Sequence, residues 1–115
     1  MSFNANGIRS AASKGFFRWF ARQKADVLCV QELKAQEDQL AAPALAVRGF
    51  HRAIFPARRP GYSGVAIYSR VTPRAVVAGL GVQEFDDEGR YLEAHFDSLV
   101  VASTYFPSGS AGPAR

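Results

Sequence analysis

The chain has one cysteine, one methionine and one tryptophan among its 115 residues, and long stretches of it carry no acid. A single thiol leaves no disulfide framework within the chain, so a reducing compartment, the cytoplasm, is expected. Cys29 sits in the apolar run Val27–Val30, where a lone thiol acts as a small hydrophobe. No apolar run reaches membrane-spanning length. The first residues lack the charged and apolar regions of a signal peptide, and no membrane partner is expected. There is no nucleophile elbow and no zinc-ligand spacing. Gly79-Leu80-Gly81 is not a nucleotide fingerprint, because no helix with a third glycine follows. His51 and His95 each fall inside an expected strand without a nearby Asp or Cys at ligand spacing, and read as structural or surface residues.

What is present is an ordinary globular composition, 48% apolar with nine Phe and four Tyr. The length fits one domain or part of one. The net charge is +4, and its distribution is uneven. Residues 1–25 carry Arg9, Lys14, Arg18, Arg22 and Lys24 with no acid. Residues 39–83 carry six arginines, again with no acid, whereas acids crowd between Glu84 and Asp97. Basic stretches without acidic partners either attract a polyanion or form a merely soluble surface.

The patterning gives strand, helix, strand, helix, then a run of strands. Met1–Ala5 reads as a short strand ending at the turn dipeptide Asn6-Gly7. Across residues 11–23, Ala12, Phe16, Trp19 and Phe20 recur at helical spacing, with Phe17 widening the stripe. Val27–Gln31 is a continuous apolar run suited to a strand buried on both faces, parallel to the first. Residues 36–47 read as a second helix interrupted by Pro43. Residues 50–55, 65–69 and 75–78 suit strands, and 79–89 a polar, acidic turn. Tyr91, Glu93 and His95 alternate with Leu92, Ala94 and Phe96, and Asp97-Ser98 turns this strand into residues 99–105 as an antiparallel hairpin.

Three polar groups fall where strands end. Parallel strands bring Asn4, Asn6 and Glu32 to one sheet edge, at the carboxyl ends, where open α/β sheets place ligands. A carboxylate there is a hard-oxygen ligand for magnesium, with an amide to orient it. Equally, Glu32 can charge the start of the next helix and Asn6-Gly7 can be only a turn. Tyr105 ends the last strand, either as a donor to phosphate or as an edge-of-core aromatic. Arg58, Arg59 and Tyr62 share a constrained loop that suits a nucleic-acid backbone or is an ordinary surface turn.

These segments carry a resemblance. Residues 2–9 (Ser-Phe-Asn-Ala-Asn-Gly-Ile-Arg) resemble the first-strand motif of bacterial exodeoxyribonuclease III and its apurinic/apyrimidinic endonuclease relatives. Residues 26–34 resemble their metal-binding strand, and residues 61–66 their DNA-contacting loop. Residues 87–94 and 105–109 complete the series in the family's order. The resemblance implies an α/β fold, the N-terminal half of a four-layered sandwich of the endonuclease/exonuclease/phosphatase superfamily. It implies that Glu32 and Asn4 hold magnesium, or manganese in its place, with Asn6 supporting, and that Asn4 also hydrogen-bonds in the active site. It implies that Tyr105 contacts the scissile phosphate, and that Tyr62, Arg90, Ser108 and Arg9 touch the DNA or its rim. The implied chemistry is attack of water on a phosphodiester of double-stranded DNA at abasic sites or 3′ ends, in base excision repair, by a monomer.

The departures from the family pattern matter as well. Residues 1–115 are expected to be a partial domain, cut at the C-terminus and slightly at the N-terminus. The family's Gly-Asp-x-Asn strand, later catalytic Asp and closing Asp-His pair have no counterpart, so this segment alone is expected to be inactive. The second sheet of the sandwich is expected to lack strands. Two other readings compete: a non-catalytic DNA-binding module, and a superfamily phosphatase or sphingomyelinase acting on small or lipid phosphates.

Overall fold

The computed structural model describes residues 1–59 and 61–106. Two sheets pack face to face, with short helices on the outer side of the first. The first sheet runs β1 (Ser2–Asn4), β2 (Val27–Gln31), β4 (Val65–Ser69), β3 (His51–Phe55) across its width. β1 and β2 are parallel, with Asn4 opposite Gln31. The other pairs are antiparallel.

β2 is apolar throughout because both its faces are covered. Leu28 and Val30 enter the core beneath the helices, whereas Cys29 enters the core between the sheets. β4 behaves likewise: Ala66 and Tyr68 face the helices, Val65 and Ile67 the second sheet. Each fully buried Leu or Ile contributes about 1.5–3 kcal/mol of transfer free energy.

The helical stripe over residues 11–23 is two helices, α1 (Ile8–Ser13) and α2 (Phe16–Phe20). Gly15 separates them at φ 91°, a left-handed conformation that stops the first helix. The break turns the stripe. Phe17 and Phe20 are buried and Phe16 stacks on Phe3 at 3.9 Å, but Trp19, expected in the stripe, is 44% exposed. The second expected helix, residues 36–47, shrinks to α3 (Glu37–Leu40) and a single 3-10 turn, Pro43–Leu45, because the proline has no N–H to continue the ladder. Leu40, Leu45 and Val47 are buried all the same.

The second sheet is present, against expectation. It is β5 (Ala75–Ala78), β6 (Tyr91–His95) and β7 (Val100–Thr104), all antiparallel. The alternation in β6 supplies the reason. Leu92 and Ala94 point inward onto Cys29, Val65 and Ile67, so the hairpin closes over the first sheet instead of extending it. A polar clip joins the two layers: buried Ser103 Oγ donates to the Val30 carbonyl at 3.0 Å and accepts from Gln31 Nε2 at 3.2 Å. The outward face keeps Val77 and Val100 exposed. The expected turn over residues 79–89 contains a four-residue helix, α4 (Gln83–Asp86). Among the described residues no helix is long and apolar enough to cross a membrane.

Candidate functional site

The parallel pairing of β1 and β2 continues past both strand ends. Ala5 N–H donates to the Gln31 carbonyl, Gly7 N–H to Glu32 and Ile8 N–H to Leu33, each at 2.9 Å. The loop before β4 closes on the same segment, with Leu33 N–H on the Gly64 carbonyl at 3.0 Å and Lys34 N–H on Ser63 at 2.8 Å. These bonds hold an unusual backbone. Among the described residues, the non-glycines at positive φ are Asn6 (45°), Glu32 (54°), Lys34 (51°) and Ser63 (28°), and all four meet here. Such conformations cost of order 1–3 kcal/mol each and concentrate at functional sites.

The strained segment forms one wall of an open cleft of about 700 Å³. Glu32, Lys34, Tyr62 and Ser63 line that wall, and Arg90, Tyr105, Phe85, Glu84 and Glu88 line the other side. Four residues singled out from sequence, Glu32, Tyr62, Arg90 and Tyr105, therefore converge on one space. Tyr105 is held there by its N–H on the Arg90 carbonyl at 2.8 Å, and its ring packs on the inter-sheet core. Tyr62 is exposed, with the Arg59 guanidinium 4.4 Å above its ring. Arg90 pairs with Glu88 and lies 5.5 Å from the Phe85 ring centre. Its Nε is buried without a hydrogen-bond partner among the described residues, a desolvation cost of about 1–3 kcal/mol.

The other expected residues are placed differently. Asn6 is exposed at the edge of this region, its Oδ1 accepting from Lys34 Nζ at 2.7 Å. Asn4 is exposed and turns back on its own loop, its Oδ1 accepting from the Asn6 N–H at 3.0 Å. Neither Asn4 nor Arg9, which is exposed on α1, lines the cleft. Ser108 lies outside the described residues. Both histidines are tied to neighbours away from the cleft: His51 Nε2 meets Thr72 Oγ1 at 2.9 Å, and His95 meets Glu93. Lys34 and Phe85 are cleft residues that the sequence reading passes over. Lys34 stands two positions beyond Glu32, which is a usable signal; Phe85 reaches the cleft through a loop closure that no periodicity reveals.

Glu32 brings a carboxylate to the cleft, the hard-oxygen donor that suits a cation keeping water and substrate phosphate in its shell. It makes a partial shell: among the described residues no group of three or more His, Cys, Asp or Glu is placed to hold a metal.

Comparison with known proteins accords with this geometry. Residues 1–114 match the model of the Endonuclease/Exonuclease/phosphatase family. The exodeoxyribonuclease of Bacillus subtilis (strain 168) is 34% identical over 116 residues, covering 100% of this chain and 45% of that protein. A DNA-(apurinic or apyrimidinic site) endonuclease of Dictyostelium discoideum is 29% identical over 116 residues, covering 100% of this chain and 32% of its own. The crystal structure of the Xenopus laevis APE2 catalytic domain superposes with a TM-score of 0.80 at 30% identity, over 99% of this chain and 47% of that one. The chain thus spans less than half the length of these relatives. The fold is a partial α/β sandwich of the kind these nucleases share. Matched along its length in sequence and in backbone, the chain belongs to the Endonuclease/Exonuclease/phosphatase family.

Proposed function

We propose that the chain is the first portion of a DNA-repair phosphodiesterase of the exodeoxyribonuclease III type, hydrolysing double-stranded DNA at abasic sites or 3′ ends in base excision repair. The observation that carries the reading is the convergence of Glu32, Tyr62, Arg90 and Tyr105 on one cleft, beside the strained ends of two parallel strands. The names of the relatives, an exodeoxyribonuclease and an apurinic-site endonuclease, favour DNA as the substrate.

In this reading Glu32 anchors magnesium, or manganese in its place, with Asn6 and Asn4 supporting. When bound, such a cation supplies Lewis-acid stabilisation of the charge that develops on phosphate. Tyr105 donates its hydroxyl hydrogen to a phosphate oxygen. Arg59 stacked on Tyr62, together with Arg90, Arg9 and Ser108, holds or supports the DNA. A monomer working in the cytoplasm completes the proposal.

The segment alone is proposed to bind without turnover. The family's water-activating Asp and the His that stabilises phosphate charge have no counterpart in these 115 residues. A fluorescent abasic-site duplex with magnesium tests both parts. Salt-dependent binding without cleavage is the expected result. No binding overturns the DNA reading; turnover that Glu32→Ala abolishes overturns the inactivity.

A further inference from the structure

The cleft proposed for a polyanion carries more acid than base. Among the described residues that line it are three carboxylates, Glu32, Glu84 and Glu88, and two cations, Lys34 and Arg90. Lys34 is held by a neutral amide and keeps its charge open, but Arg90 is already paired, with Glu88. The two partners of that pair are not equally fixed. The Arg90 side chain is 18% exposed and the Glu88 side chain 47%. Arg90 stands against the Phe85 ring, and its carbonyl accepts from Tyr105 N–H at 2.8 Å. The backbone between the partners is pinned as well: Gly89 N–H donates to the Asp86 carbonyl at 3.0 Å, and the Gly89 carbonyl accepts from Gly64 N–H at 3.1 Å. The part free to move is the Glu88 side chain, by rotating into solvent.

We propose that Glu88 sets the affinity of the cleft for DNA: in the free chain its carboxylate occupies the place on the Arg90 guanidinium that a backbone phosphate takes, and binding exchanges the one for the other. The proposal rests on the DNA reading above and adds to it how one of the contacts is controlled.

Carboxylate and phosphate oxygens make the same kind of charge-assisted bond to a guanidinium, and the same N–H groups cannot serve both. Glu88 competes because it is tethered two residues away and never diffuses off. The duplex displaces it because each phosphate arrives with its neighbours and sheds counterions on contact. The competition appears as the fraction of chains in which Arg90 is open, since apparent affinity is the intrinsic affinity reduced by that fraction. The paired pose also leaves Arg90 Nε buried without a partner among the described residues, so Glu88 satisfies the guanidinium's donors only in part. Phe85, with its ring centre 5.5 Å from the guanidinium carbon, keeps Arg90 at the wall once the carboxylate has left. Salt acts on both sides of the exchange. Ions that screen the duplex from the cleft also screen Glu88 from Arg90, so the free chain opens as the complex weakens.

Anisotropy titrations of the 115-residue chain with a fluorescent abasic-site duplex in EDTA test the exchange. Glu88→Gln keeps the size of the side chain and removes its charge. It should bind the duplex roughly 2- to 6-fold more tightly than the wild type, and its affinity should fall more steeply with salt. In an Arg90→Gln background the same change should give no gain, because no guanidinium is left to release. Unchanged or weaker binding by Glu88→Gln overturns the proposal and makes Glu88 a support for Arg90. An equal gain in the Arg90→Gln background overturns it too, as general repulsion by the wall. If Arg90→Gln does not fold, the salt series of wild type and Glu88→Gln decides, and parallel slopes overturn the exchange. Failure of the wild type to bind the duplex overturns the DNA reading and this proposal with it.

Discussion

Lys34 Nζ donates a 2.7 Å hydrogen bond to Asn6 Oδ1, joining the two loops that leave the parallel strands β1 and β2. The acceptor is a neutral amide, so the contact fixes the ammonium without cancelling its charge. Lys34 then presents a full positive charge to the cleft that Glu32 shares. Removing it in Lys34→Ala should make the slope of log K for duplex DNA against log salt less steep by about 0.9, and Lys34→Arg should preserve the slope. Asn6→Asp should move the slope in the same direction as Lys34→Ala, because a carboxylate at that position pairs with the ammonium. Fluorescence-anisotropy titrations over a range of salt concentrations read all three.

Gly89 holds the two walls of the cleft together by being small. Its φ is 58°, and a Cβ built on it would lie 2.6 Å from the Phe55 carbonyl oxygen and 2.8 Å from Ala57 N. Both neighbours are backbone and cannot rotate away. Gly89→Ala therefore combines the left-handed penalty of about 1–2 kcal/mol with an overpacking term of about 1–3 kcal/mol. Urea denaturation should show a loss in that combined range, whereas Gly81→Ala, where nothing lies within 4 Å of the added carbon, should lose the φ term alone.

The first layers of this architecture are written plainly in the chain. Val27–Gln31 is apolar at every position but its last because β2 is covered on both faces, and Glu32 is legible as a functional candidate because it is the first charge after that run. The hairpin is legible because Leu92 and Ala94 alternate with polar Glu93 and His95. What alternation does not reveal is the strand's neighbour. β5 to β7 form a second sheet, not an extension of the first, because Leu92 and Ala94 find Cys29, Val65 and Ile67 across the gap, a pairing set by distant residues. The break at Gly15 was hidden for a related reason: glycine is tolerated inside a helical stripe, and a φ of 91° is a property of the folded chain. The cleft's far wall depends on Asp86 closing its own loop onto Leu80 and Gly81, which composition reads only as an acidic turn.

On the outward face of β6, the Tyr91 hydroxyl donates to one oxygen of Glu93 and His95 meets the other. The bond from Tyr91, then that from His95, holds the Glu93 carboxyl below its ordinary range. The same bond to Glu93, with some burial, raises the Tyr91 phenol. The signs follow by linkage. The Glu93 contribution is present above the unfolded carboxyl value and is lost as pH falls through the lowered folded one. The Tyr91 contribution is present below the unfolded phenol value and is lost as pH rises through the raised folded one. Urea midpoints measured across pH should therefore fall at both ends, and Glu93→Gln should flatten both limbs. A Glu93→Gln profile parallel to that of the wild type would show that the pair does not couple to folding.

Glu32 sits at φ 54°, where a residue with a side chain is strained and glycine is not. If the position served packing alone, replacing its half-buried side chain would cost stability. If it serves to aim a carboxylate into the cleft, the strain is stored for function, and removing it should be free or favourable. Glu32→Gly relieves about 1–2 kcal/mol of left-handed strain and adds about 0.5–1 kcal/mol of unfolded-chain entropy. The expected stability is unchanged or up to about 1.5 kcal/mol higher, read from urea midpoints at constant m. Manganese affinity, measured by calorimetric titration, should collapse in the same variant. Glu32→Gln separates the two effects, since it keeps the side chain and the strain while removing the charge. It should lose the metal without gaining stability. A Glu32→Gly chain that unfolds more easily and binds manganese as before would make Glu32 a structural residue and move the metal anchor elsewhere in the cleft.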